Sequence, residues 1–112
     1  MRRSAGWTGY ATSYALGGKG AFSTRAGAWM RHTFTGQAIA LVGPRGPTRG
    51  RAEVWLDGAL VTTVNAYAKT SGSRWLLSAT AVDPAANHTI EVRVLGTAGR
   101  PRFDVDAFLV LR

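Results

Sequence analysis

The chain has no cysteine, only six acidic residues, two lysines and two histidines, and no apolar run approaching a membrane span. Without cysteine there are no disulfides, no thiol nucleophile and no zinc–thiolate site. The compartment stays open, because secreted bacterial modules often do without cysteine as well. A bilayer-spanning helix needs about 20 consecutive apolar residues, and nothing of that length is present. Met1-Arg2-Arg3-Ser4 is basic, but Ala5-Gly6-Trp7-Thr8-Gly9 follows in place of an apolar core, so no signal peptide is expected in this chain. Helical periodicity is nearly missing too. No nucleophile elbow surrounds any serine, and the Gly-rich stretch Gly43–Gly50 lacks the terminal Lys-Ser/Thr of a phosphate-binding loop. These gaps leave no recognisable catalytic machinery, and the chain is read as non-enzymatic.

What remains is alternation. Of 112 residues, 46% are hydrophobic and 18% charged, a globular composition of single-domain length, so residues 1–112 are read as one module. Period-two segments run through Ala28–Thr35, Ala38–Val42, Ala52–Asp57, Leu60–Tyr67, Ser73–Thr80, His88–Leu95 and Phe103–Leu111, with a weaker candidate inside Thr8–Phe22. Asp57-Gly58 supplies the positive φ of a tight hairpin, and Asp83-Pro84-Ala85-Ala86-Asn87 makes a second turn. The expectation is all-β: an antiparallel β-sandwich burying Val54, Leu56, Ile90, Val92, Val94, Val105, Ala107 and Leu109. His32 falls on an apolar face and reads as a hydrogen-bonded core histidine, while His88 caps its strand.

Several stretches have a familiar look. Ala28–Thr35, Leu41-Val42-Gly43-Pro44-Arg45-Gly46-Pro47, Ala52–Gly58, His88–Thr97 and Arg102–Val110 together resemble galactose-binding-domain-like carbohydrate-binding modules of bacteria. The likeness covers roughly residues 6 to 112. It implies a jelly roll of eight or nine strands that binds glycan or adheres to surfaces, as an accessory module of a larger secreted or cell-surface protein. The chain departs from that pattern at His32, and its first acid is Glu53, where relatives often carry an N-terminal acid on a structural calcium.

Sugar recognition needs flat rings for stacking and polar groups for hydroxyls. Four tryptophans are present, and the candidate ligand-binding residues are Trp29, Trp55, Trp75, Tyr67, Arg45 and Arg49. Trp29 and Trp55 come first, because each sits on the polar face of its strand. Arg45 and Arg49 project from a loop stiffened by Pro44 and Pro47, and a guanidinium is a planar fork for hydroxyls, carboxylates or phosphates. Asp104 and Asp106, two apart on a strand, can ligate a structural calcium or pair with Arg100 or Arg102. The net charge of +8 adds polyanions, nucleic acid or an anionic cell-wall polymer, as alternative partners. A structural or oligomerising spacer is the other alternative.

Overall fold

A computed structural model describes residues 2–112. Its strand segments are β1 (Arg2–Arg3), β2 (Thr8–Ala11), β3 (Lys19–Ser23), β4 (Trp29–Phe34), β5 (Ala38–Arg45) and β6 (Arg51–Leu56). They continue as β7 (Ala59–Asn65), β8 (Gly72–Ala81), β9 (His88–Val94), β10 (Phe103–Val105) and β11 (Ala107–Leu111), with a 3₁₀ turn at Leu16–Gly18. All ladders are antiparallel. One layer is a five-stranded sheet in the order β1-β4-β9-β6-β7. The other consists of two three-stranded sheets, β10-β3-β2 and β11-β5-β8. The two adjoin where β10 and β11, halves of one line of chain, break at Asp106, whose N–H binds Val42 O at 2.8 Å. With those halves taken as one and two-residue β1 set aside, nine strands remain, as the jelly-roll expectation has it.

The sequence explains the local geometry. Leu56 pairs with Ala59 across Asp57-Gly58, whose φ values of 51° and 81° are those of the tight hairpin such a pair favours. At the second turn the Asp83 carboxylate accepts the Ala85 N–H at 2.9 Å, a local Asx turn. His88 ties the two turns together. Its Nδ1 lies 2.6 Å from Asp57 Oδ2 and its Nε2 2.7 Å from Asp83 O.

The core draws on all three sheets: Met30, Val54, Ile90, Val92 and Val94 from one layer, Ile39, Leu41, Phe103 and Val105 from the other. Two expectations need correction. Leu109 is 45% exposed rather than buried, because the break at Asp106 changes the strand's parity. Phe103 and Val105 face inward before it, and Phe108 and Val110 pack on the core after it, which turns Leu109 and Leu111 out. Ala107 and Leu56 are half-buried. His32 does stack between Phe34 and Phe108, at ring separations of 6.4 and 5.8 Å. Its Nδ1, however, is buried without a hydrogen-bond partner among the described residues. Burial lowers its pKa, so the ring packs as a neutral, aromatic-like plate.

Candidate functional site

The stretch Gly43–Gly50 divides in two, with Gly43, Pro44 and Arg45 finishing β5 and the rest forming a loop. Gly43 is required by proximity: a Cβ there would lie 2.6 Å from Asp104 O. That close approach sets β5 beside β10 and brings Arg45 and Arg49 to the outer seam between the two small sheets.

Asp104 is the hub of that seam and is fully buried. Tyr10 donates its hydroxyl to Oδ2 at 2.7 Å, and Arg102 donates through Nε and Nη2 at 2.9 and 3.0 Å. Arg49 Nε stands 2.8 Å from Oδ1; Nε also has no aligned hydrogen bond, so this contact is an ion pair. Burial, reinforced by Asp104, pushes the Tyr10 phenol well above its usual range, so it stays a donor. Hydrogen bonding to Asp104 raises the Arg102 pKa. Both Asp104 oxygens are thus occupied, and among the described residues no three His, Asp or Glu side chains gather. A calcium ion at Asp104 would have to displace these partners. Arg102 is the arginine partner the spacing suggested. Arg100 turns elsewhere, to Arg49 O at 2.9 Å and over the Tyr67 ring at 4.6 Å.

A cleft opens beside this hub. Its inner hollow, of about 270 Å³, is lined by Tyr10, Arg102 and Asp106 among others. The outer hollow, of about 370 Å³, includes Arg45, Ser71 and Gly72. The two share Tyr14, Pro44, Arg49 and Ser73. Asp106 takes the Leu16 N–H, and burial raises its carboxyl above the usual range; Oδ2 is buried and has no hydrogen-bond partner among the described residues. Tyr14 is 73% exposed. Its loop is anchored by Arg74, which donates to Ser13 O at 2.8 Å and Tyr14 O at 3.2 Å. Arg74 itself sits at a φ of 57°, inside a β8 irregularity that aims its side chain at the loop. Trp75, 47% exposed, borders Gly72 so closely that a Cβ there would lie 2.4 Å from Nε1. Arg45 rests 5.1 Å from the Trp75 ring centre and donates to Tyr67 O at 3.3 Å.

Four of the six candidate ligand-binding residues, Trp75, Tyr67, Arg45 and Arg49, therefore converge at this end of the molecule. Trp29 and Trp55 do not join them. They lie on the outer face of the five-stranded sheet, where Arg31 pairs with Glu91 and Trp29 with Arg93 across β4 and β9. Arg31 covers the Trp29 ring at 3.9 Å and Arg93 covers Trp55 at 4.1 Å. Both guanidinium groups are held by Glu91. Burial pulls the Glu91 pKa up, but the two arginines outweigh it and hold the carboxyl below the usual range. One face of each of these rings is thus already occupied. The residues the sequence did not point to are Tyr14, Tyr10 and Ser73. Tyr14 lies in the stretch with the weakest alternation, and its neighbours gave no sign of its exposure.

No family model matches the chain, and no curated protein does either. Solved structures do. The fold aligns with a Paenibacillus xanthan lyase at a TM-score of 0.67 and 11% identity, over 98% of this chain and 12% of that one. It aligns with the catalytic domain of Agl-KA at 0.61 and 13%, over 98% of this chain and 26% of that one. A CBM36-1 domain of a multidomain xylanase from the hindgut metagenome of Trinervitermes trinervoides aligns at 0.59 and 14%, over 96% of this chain and 87% of that domain. The chain shares the β-sandwich fold of these units and spans about an eighth of the lyase.

Proposed function

We propose that this chain is a non-catalytic carbohydrate-binding module whose ligand lies in the cleft beside Tyr14. The observation that carries the reading is the Tyr14 ring, 73% exposed beside hollows lined with arginine and serine side chains. An exposed ring gives apolar contact for a sugar face, and fixed donors beside it orient the hydroxyls. The likeness to a carbohydrate-binding domain of a xylanase supports the same reading. An accessory role in a larger secreted or cell-surface bacterial protein fits the small share of the lyase that this unit matches. The test is a polysaccharide panel measured by affinity electrophoresis at low and high salt. Tyr14→Ala should abolish binding, whereas Trp29→Ala should leave it within about twofold, because a rim-distant site does not couple. Ring stacking survives salt; a polyanion site loses affinity steeply between about 50 and 200 mM. Binding that disappears in salt and is indifferent to Tyr14→Ala, or that follows Trp29 instead of Tyr14, refutes the proposal.

A further inference from the structure

The charges around the cleft do not balance. Arg45, Arg49, Arg74, Arg100 and Arg102 gather here against two acids, Asp104 and Asp106. Asp104 is shared between Arg49 and Arg102. Arg74 and Arg100 are turned to backbone carbonyls. Among the described residues Arg45 has no carboxylate partner: its Nη2 reaches Asn65 O and Tyr67 O at 3.5 and 3.3 Å, and its buried Nε has no hydrogen-bond partner. An incompletely paired guanidinium in a half-buried wall is expensive unless a ligand completes it.

We infer that the saccharide taken by this cleft carries a carboxylate, so that the ligand is a uronic-acid glycan held by Arg45 and Arg49. The inference rests on the carbohydrate-binding reading above and adds the ligand's charge. A carboxylate matches the planar fork of arginine with two parallel charge-assisted hydrogen bonds, each stronger than the bond a neutral sugar hydroxyl makes there. The rest of the wall suits a sugar better than a phosphate chain. Ser71 and Ser73 offer hydroxyls, and Tyr14 offers a ring face.

The experiment uses the whole chain and isothermal titration against oligosaccharides of galacturonic, glucuronic and mannuronic acid. Each is paired with its methyl ester, which keeps the ring and removes the charge, and dextran sulfate serves as a generic polyanion. At least one acid should bind about tenfold or more tighter than its ester, the usual scale of a charge-assisted hydrogen bond. Arg45→Met should bring acid and ester to equal affinity, and Arg45→Lys should restore only part of the difference. Thermal melts check that both variants fold. Tyr14→Ala should weaken acid and ester alike. Equal binding of acid and ester by the unsubstituted chain overturns the carboxylate while leaving the carbohydrate reading intact. Dextran sulfate binding as tightly as the best uronate also overturns it. If no saccharide binds in either form, both readings fall.

Discussion

Replacing Asp104 tests the architecture of the seam most directly. Its carboxylate is fully buried and accepts from Tyr10 and twice from Arg102, with Arg49 as a further ion-pair partner. Asp104→Ala removes the acceptor and leaves two guanidinium groups and a phenol facing one another. Breaking a buried ion pair on one side costs about 3–5 kcal/mol. Arg102 and Arg49 are partly exposed, so water relieves some of that and the lower end is expected. Asp104→Asn keeps an acceptor oxygen and the volume but not the charge, and should cost about 2 kcal/mol; Tyr10→Phe, which deletes a single donor, about 1 kcal/mol. Domains of this size have about 5–15 kcal/mol in total, so the alanine variant loses a large share of its stability and melts about 10 °C lower or more. Urea unfolding followed by tryptophan fluorescence measures all three. In a double-mutant cycle, Tyr10→Phe and Asp104→Ala should be sub-additive, because both remove the same hydrogen bond. An Asp104→Ala variant within about 1 kcal/mol of the parent would refute the hub.

Three further outcomes follow from the fold. Ile90→Ala should cost about 2–5 kcal/mol, whereas Leu109→Thr should stay within about 0.5 kcal/mol, since the Asp106 break turns Leu109 outward; urea midpoints decide, and a large Leu109 effect would restore the uninterrupted alternation. Because both Asp104 oxygens are taken, melting temperatures in millimolar calcium and in chelator should coincide, and a rise in calcium would contradict the saturated hub. The Asp57 contact raises the His88 pKa above 6.5 and lowers that of Asp57 below 3.8. The histidine's contribution is therefore complete below pH 6.5 and is lost as pH climbs through its raised value. The aspartate's is present above pH 3.8 and is lost on acidification. Stability measured from pH 6 upward should decline less steeply in His88→Ala than in the parent, and parallel curves would contradict this.

What the sequence conveyed was periodicity, and what it hid was whatever interrupts periodicity. Asp57-Gly58 announced its hairpin because a two-residue turn has few chemical solutions. The alternation of Ile90, Val92 and Val94 located a central strand because burial on one face leaves that signature. The break at Asp106 had no such signature: Phe103 to Leu111 alternates plausibly in either parity, and only the Asp106 N–H on Val42 O reveals where the register turns over. Local reading also singled out Arg45 and Arg49, from a Pro/Gly-punctuated stretch, and the fold brings both to the wall of one hollow. It failed for Tyr14, which is brought to the same cleft by contacts with Arg74, about sixty residues away in sequence.

Ring counting had a different weakness. With 12 arginines and so few acids, guanidinium groups without a carboxylate settle on aromatic faces. Arg31 lies on Trp29, Arg93 on Trp55, Arg45 on Trp75, Arg100 on Tyr67 and Arg102 on Phe22. Each such contact stabilises by about 0.5–1 kcal/mol at an exposed site and takes up a face a sugar would need. Trp29 and Trp55, ranked first for standing on polar strand faces, are the rings most closely covered, because Glu91 fixes both arginines in place. Tyr14 is the exposed ring that no guanidinium covers among the described residues. In an arginine-rich chain, then, the ring free to stack on a ligand is the one whose backbone, rather than whose π face, is held by arginine, and Arg74 holds Tyr14 in that way.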